Sequence, residues 1–476
     1  MEERLGAALA PCGLAVVKMP DKGRGLLTLR DFSPGEVVIQ QEPYASKPKF
    51  SSNGSSCDGC FALHNLKRCS ACQMAWYCGS SCQKSEWKLH QLECKALSKL
   101  NNERRKMLTP SICLMLRLLL KRKLQKDKVI HSTATDSYDL VEALVSHMSD
   151  LHEKQLVLYA QIANLVNLVL PELEINIKEV TEIFSKLACN AHTICDSELK
   201  PLGTGLYPVI SIINHSCLPN AVLVFEGRVA VVRAIEPIVK GTEVSISYID
   251  TAATTRKRQK DLNEQYFFTC GCTACVKDVK ASAVLEGYCC KDRTCDGFLL
   301  YDSGNRVFIC QLCGLSRENQ EIKKLEKETK VLVDKASRSL SSNNYYEANT
   351  FFTKIEEYQI ELCHSFSIDL LRTRESLLKI HMELKDWNKA LTYCRLTISV
   401  YERLYPAIHP LCGLQHYTCG KLEWLLEHTE AALKSFTKSV DILRITHGMN
   451  TIFMRELLSN LEEARREAAY RLSACD

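Results

Sequence analysis

Polar groups arrive abruptly after an apolar run in Ser211-Ile212-Ile213-Asn214-His215-Ser216-Cys217-Leu218-Pro219-Asn220. Leu206, Val209, Ile210, Ile212 and Ile213 lead into them, so the stretch reads as a buried segment entering a polar turn. About twenty-five residues on, Gly241-Thr242-Glu243-Val244-Ser245-Ile246-Ser247-Tyr248 alternates apolar and polar side chains. That pattern predicts a half-buried strand ending in a phenol. Tyr266-Phe267-Phe268-Thr269-Cys270-Gly271-Cys272-Thr273-Ala274-Cys275 comes next. Its aromatic faces suit a cation, and its thiols suit a soft metal.

Cysteine is the outlier of the composition, with 25 in 476 residues. Most fall in tight C-x-C, C-x2-C or C-x3-C clusters, which read as thiolate metal ligands in a reducing compartment. Residues 57–94 carry the strongest signal, in the pairs Cys57/Cys60, Cys69/Cys72, Cys78/Cys82 and His90/Cys94. Eight such ligands make two closed tetrahedral zinc sites, and closed sites are structural. Residues 286–316 hold a further set, Cys289 or Cys290 with Cys295, Cys310 and Cys313. Gly297–Leu300 and Arg306–Ile309 read as the two strands of a hairpin between them, so the segment predicts a zinc ribbon.

In order and spacing, the N-H-S-C-x-P-N string, the G-x-E-V-x-x-x-Y strand and the C-x-C-x2-C tail resemble the SET lysine methyltransferases. The eight-ligand segment, with Trp76-Tyr77-Cys78, resembles the MYND zinc finger. The whole chain is most similar to the plant SET-and-MYND proteins described as ASH-related. The resemblance implies an α+β multidomain protein. It has a β-rich SET core with a pseudoknot, an inserted MYND finger, a post-SET zinc site and C-terminal tetratricopeptide-like repeats. It implies protein-lysine N-methylation dependent on S-adenosyl-L-methionine. Tyr248 would be catalytic. Lys22, Gly23, Arg24, His147, Asn190, Asn214, His215, Tyr266, Phe267 and Phe268 would hold the cofactor. The family cross-brace assigns Cys57, Cys60, Cys78 and Cys82 to one zinc, and Cys69, Cys72, His90 and Cys94 to another. Cys217, Cys270, Cys272 and Cys275 would hold a third. The ribbon rests on its own residues, with Cys290, Cys295, Cys310 and Cys313 as the ligands of a fourth.

The chemistry sets its own demands. Methyl transfer needs a neutral amine, and deprotonating a lysine at neutral pH costs roughly 4 kcal/mol. A narrow apolar channel lowers that cost by desolvation and supplies orientation. A phenol at the channel end can orient the amine, which is the role given to Tyr248. Tyr207 lines the channel or packs in the core.

The elements that must position these groups follow in chain order. Residues 10–50 form the first part of the SET domain, with 14–46 read as a short antiparallel meander turning at Lys22–Gly25 and Ser33–Glu36. The finger occupies 57–94. Residues 97–185 read as a helical insert containing Ser146-His147-Met148. The SET core resumes over 186–250, with Cys189-Asn190-Ala191-His192-Thr193-Ile194 returning to strand. The family usually has an aromatic where His192 stands. The post-SET segment spans 255–280. Residues 320–476 are helical, and Ala348, Ala390 and Ala432 recur at a spacing of 42 residues. A small residue at fixed period indicates stacked helix pairs.

A net charge of +5 is too small to imply nucleic-acid binding alone. Lys121-Arg122-Lys123 with Lys126 and Lys128 is the run that could meet DNA phosphates. No segment reaches the apolar length of a membrane span, and Glu2 and Glu3 replace the basic start of a signal peptide. A monomer of nucleus and cytoplasm, associated with chromatin, is expected. Its substrate would be a histone or another lysine-containing protein, and a proline-rich peptide would bind the finger. The competing class is a scaffold or chromatin co-regulator in which finger and repeats recruit partners and the SET core is silent.

Overall fold

Val37–Gln41 does not pair with the hairpin that precedes it. In the computed structural model, which describes residues 2–50, 56–276 and 287–473, the expected meander is broken after its first turn. Strands β1 (Leu14–Met19) and β2 (Gly23–Thr28) form the hairpin. Strand β3 (Val37–Gln41) instead joins β11 (Val229–Ala234), and β4 (Ala45–Pro48) joins β8 (Pro201–Leu206). The inserted finger and helices therefore leave from one sheet and return to it. Gln41 secures the return, because its Oε1 accepts from the amides of Val209 and Ile210 at 3.1 and 3.2 Å.

Beside the β1–β2 hairpin, three small sheets build this part of the chain. They are β10 (Ala221–Glu226)–β11–β3, β4–β8–β7 with β7 at Ala191–Cys195, and a parallel pair. The parallel pair joins β9 (Asn214–His215) to β12 (Ser245–Ile246). Predicted strand 241–248 is thus reduced to two ladder residues, with Glu243 making an isolated bridge to Leu27. Irregular backbone here frees side chains for the site. The hairpin β5 (Lys67–Arg68) and β6 (Trp76–Tyr77) lies in the finger, followed by the helix Ser80–Ser98 that carries Cys82, His90 and Cys94.

The helix Pro110–Lys126 is buried over most of its length, from Ile112 to Leu120. Apolar residues on every side suit a helix enclosed by finger and insert. The insert is less helical than expected. Residues 143–147 are irregular and His147 adopts φ +49° before a short 3-10 turn.

The chain divides into Met1–Ile246 with Leu262–Phe268, and Ser247–Asp261 with Thr269–Asp476. In the second unit, seven helices run from Asn319 to Ser473. Asn343, Lys385 and Glu427 each take positive φ just before a repeat helix. Asn344 and Asp386 then cap the helices starting at Tyr345 and Trp387. Ala348, Ala390 and Ala432 are fully buried, which explains their period. Helix Thr429–Thr446 stops just before Gly448, whose φ is +79°. Residues 277–280 of the predicted post-SET segment, residue 286 of the ribbon and residues 474–476 lie outside the described residues.

Candidate active site and metal centres

Asn214 sits at the meeting of three segments. Its Nδ2 donates to Glu243 Oε1 at 2.8 Å and to the Arg24 carbonyl at 3.1 Å. Glu243 Oε2 pairs with Lys22 Nζ at 2.7 Å. A Cβ on Gly25 would lie 3.0 Å from Asn214 Nδ2 and 2.7 Å from Met19 Sδ, so any side chain there would push on both. Gly23 holds φ +75°, one of two left-handed positions in the turn with Asp21. Arg24 reaches away to the Ala143 carbonyl at 2.7 Å, tying the turn to the insert.

The insert brings His147. Its ring stacks on Phe267 with centroids 5.0 Å apart and planes at 26°, and its Nδ1 lies 3.1 Å from Asp150 Oδ2. Asn190 closes the helix Ile177–Asn190 rather than opening a strand, which corrects the sequence reading by one element. Helix-terminal placement lets its Nδ2 donate to Lys186 and Val145 carbonyls at 2.8 and 3.0 Å. Its own carbonyl accepts from Ser211 Oγ at 3.0 Å. His215 is buried, 5.9 Å from Phe268 and with Nε2 3.3 Å from Cys217 Sγ. Burial and the nearby Cys189 push the Tyr266 phenol up to about 12, so it stays a neutral donor.

All ten residues expected at the cofactor therefore lie in the first unit. Tyr248 follows strand β12 by two residues and is half-buried in the second. Tyr207 is a core residue. It is fully buried, and its hydroxyl donates to the Arg228 carbonyl at 2.5 Å. Glu243 and Asp150 were not singled out from sequence. Glu243 stood inside the quoted G-x-E run, and an acid in a half-buried strand signals a partner. Asp150 gave no such signal, because its pairing depends on the turn at His147.

The donor set suits S-adenosyl-L-methionine. A stacked imidazole, two phenylalanines and a half-buried phenol offer faces for an adenine and a sulfonium. The Asn214 amide nitrogen is turned inward onto two acceptors.

The finger's eight ligands separate into two sets. Cys57, Cys60, Cys78 and Cys82 form one, and Cys69, Cys72, His90 and Cys94 the other; within each, ligand atoms lie within 4.8 Å of one another. The soft, closed S/N sets fit zinc. His90 Nδ1 bonds Glu93 Oε2 at 3.0 Å, which turns Nε2 toward Cys72. Cys57 Sγ accepts from the Gly59 and Cys78 amides at 3.4 Å each. Cys270, Cys272 and Cys275 cluster in the second unit, and Cys217 is buried in the first. Cys290, not Cys289, joins Cys295, Cys310 and Cys313. Cys289 Sγ turns to the Glu361 carbonyl instead.

Three of the five basic residues of the run pair with acids within the chain. Lys121 pairs with Asp136 at 2.7 Å and lies over Tyr44, Arg122 pairs with Glu179, and Lys123 with Asp127 at 3.2 Å. Among the described residues, no helix is long and apolar enough to cross a membrane.

Residues 23–249 match the SET domain family. The chain is 56% identical over 463 residues to histone-lysine N-methyltransferase ASHR1 of Arabidopsis thaliana, covering 96% of each chain. It is 29% identical over 461 residues to N-lysine methyltransferase SMYD2-A of Xenopus laevis, covering 95% of this chain and 99% of that one. The human N-lysine methyltransferase SMYD2 is 26% identical over 453 residues, with 94% and 98% covered. With more than half its residues shared along nearly its whole length with the Arabidopsis protein, the chain belongs to the SET-and-MYND family of protein-lysine methyltransferases.

Proposed function

We propose that this chain methylates lysine side chains of histones and of other proteins, with Tyr248 as the residue that orients the target amine. When bound, S-adenosyl-L-methionine supplies a methyl group on a sulfonium. The chain's own residues do the rest. Lys22, Arg24, Asn214 and His147 hold the donor, while Tyr266, Phe267 and Phe268 exclude water from it. The Tyr248 phenol oxygen accepts a hydrogen bond from the substrate amine once its proton has gone to solvent. The carrying observation is the Lys22–Glu243–Asn214–Arg24 network, which ties the first turn to the strand that leads into Tyr248.

The metals take no part in the chemistry and fix the ends of the site. Cys217 is assigned with Cys270, Cys272 and Cys275 as the post-SET zinc set. A proline-rich peptide on the finger, a monomeric state and residence in nucleus and cytoplasm, with chromatin association, extend the same reading. DNA phosphates meeting the run Lys121, Arg122, Lys123, Lys126 and Lys128 belong to the same reading, with three of the five also paired to acids of the chain.

The test is transfer of radiolabelled methyl from S-adenosyl-L-methionine to histones and to a cell lysate. Wild type labels protein. Tyr248→Phe lowers labelling by about tenfold or more, which is about 1.4 kcal/mol of barrier. Unchanged labelling removes Tyr248 from its role, and absence of cofactor binding by calorimetry favours the scaffold.

A further inference from the structure

Cys290, Cys295, Cys310 and Cys313 lie in the second unit, apart in sequence from every residue assigned to methyl transfer. Their Sγ atoms all fall within 4.8 Å of one another. Cys290 and Cys313 are 3.5 Å apart, and Cys295 and Cys310 are 3.7 Å apart. A disulfide requires about 2.05 Å. A tetrahedron with zinc–sulfur bonds of about 2.3 Å has sulfur–sulfur edges of about 3.8 Å. The observed spacings match the tetrahedral edge and not the covalent bond.

The local backbone is built for the cluster. Leu299–Asp302, Val307–Cys310 and Ser316–Glu318 form an antiparallel sheet that ends in Cys310. The turn after it closes with the Gly314 amide on the Cys310 carbonyl at 3.0 Å, and Gly314 holds φ +75°. The Leu312 amide points at Cys310 Sγ at 3.4 Å, an arrangement that stabilises a thiolate. A Cβ on Gly297 would lie 2.4 Å from Cys310 Sγ and 3.2 Å from Cys295 Sγ. Only glycine lets the chain pass so close to these two sulfurs and the Leu312 Cβ. No carboxylate or imidazole joins the set, so the donors are all soft and leave no open position.

The same segment covers the end of the first repeat. The carbonyls of Leu362 and Glu361, at the end of helix Tyr345–Leu362, accept from the Cys289 amide at 2.9 Å and from Arg317 at 3.0 Å. Those are the orphan acceptors a helix C-terminus must satisfy. The His364 amide reaches the Gly287 carbonyl at 2.8 Å, and Tyr288 Oη donates to Glu326 at 2.5 Å. Cys290, Leu299 and Cys310 share one apolar cluster with Ile322, Leu362 and Cys363. Stacked helical repeats need a terminal unit that closes their exposed end.

We infer that Cys290, Cys295, Cys310 and Cys313 bind a structural zinc ion, and that the resulting zinc ribbon is the N-terminal cap of the helical repeats. Binding converts four thiols to thiolates, forms four Zn–S bonds and releases four protons, with no change of oxidation state. The ribbon then folds only with its metal, because so small a sheet buries too little apolar surface alone.

The experiment uses the full chain as purified. Zinc and iron are counted by mass spectrometry in wild type and in Cys310→Ser/Cys313→Ser. The variant loses one zinc per chain relative to wild type and contains no iron. It keeps wild-type binding of S-adenosylhomocysteine, while limited proteolysis cuts first within residues 287–362. A second measurement covers the case in which the variant fails to fold. In wild type, alkylation mapped by mass spectrometry leaves these four cysteines unmodified until a chelator is added. Equal zinc content in the two proteins, one iron per chain, or alkylation of all four cysteines without zinc release would each overturn the assignment.

Discussion

Tyr405 donates its hydroxyl to Asp250 Oδ1 at 2.7 Å, two residues beyond Tyr248. Arg372 pairs with the other carboxylate oxygen, and the Ala252 amide donates to Oδ1 at 2.9 Å. Ala252 packs with Leu371, Val400, Tyr401, Tyr405 and Cys412. The repeat helices thus hold the segment that carries the phenol. Burial and the Asp250 charge push the Tyr405 phenol up, so it remains a donor.

Tyr405→Phe removes that bond and keeps the ring. Asp250 is partly exposed, so the loss should stay near about 1 kcal/mol of stability. Turnover should fall severalfold while calorimetric affinity for S-adenosylhomocysteine stays at the wild-type value. Unchanged turnover would mean that the clamp does not position Tyr248.

What could be read from sequence was chemistry with a fixed local spacing. Paired cysteines announce a tetrahedron, and Ala348, Ala390 and Ala432 announce a helix crossing, because both constraints act over a few residues. The pairing of β3 with β11 and β4 with β8 was not legible. Strand partners are chosen by burial across the whole fold, and β3 and β4 carry no turn signal toward them. Asn190 was misplaced for a related reason. The helix-to-strand change falls between Asn190 and Ala191, where neither glycine nor proline marks a boundary. Asp150 and Asp250 act through contacts that only folding creates.

His147 and Asp150 form a half-exposed pair, with 27% and 49% of their side chains open to solvent. Pairs of this kind are worth at most about 1 kcal/mol to stability. Asp150 should matter instead by fixing the ring that stacks on Phe267. Asp150→Ala should weaken S-adenosylhomocysteine binding by about fivefold, close to 1 kcal/mol. Its melting temperature should stay near that of wild type. Loss of melting temperature without loss of affinity would show a purely structural pair.

His192 offers a pH signature. Its Nε2 is buried without a partner, and burial lowers the imidazole to about 4. A histidine whose folded value is lowered favours the native state fully above its unfolded value near 6.5. That contribution is lost as the pH falls from about 6.5 toward 4, up to roughly 3 kcal/mol. His192→Phe, which also restores the family's usual aromatic, should remove this loss. Denaturant unfolding at pH 7 and pH 4.5 should show a smaller stability difference in the variant. An equal difference in both proteins would mean that His192 is already charged or hydrogen-bonded in the native state.

Arg117 joins the finger to the SET sheet through charges that are almost wholly buried. It donates to the Ser46 carbonyl of β4 at 2.8 Å and lies 3.3 Å from Glu93, the acid that orients His90. Beside it, Lys47 pairs with Asp58 at 2.6 Å. Burial opposes the charges, but Arg117 and Lys47 hold the Glu93 carboxyl well below the usual range. Removing one member leaves the others uncompensated in a dry interior, and such losses run to about 3–5 kcal/mol. Arg117→Met should therefore destabilise the first unit strongly and loosen the zinc held through His90. Arg117→Met with Glu93→Gln should cost less than the sum of the two single changes, because the second removes the charge the first strands. The cycle is measured by denaturant unfolding with zinc counted in each variant. Additive losses would mean that the two side chains do not act on one another, and finger and sheet would then be joined by the Lys47–Asp58 pair and apolar packing.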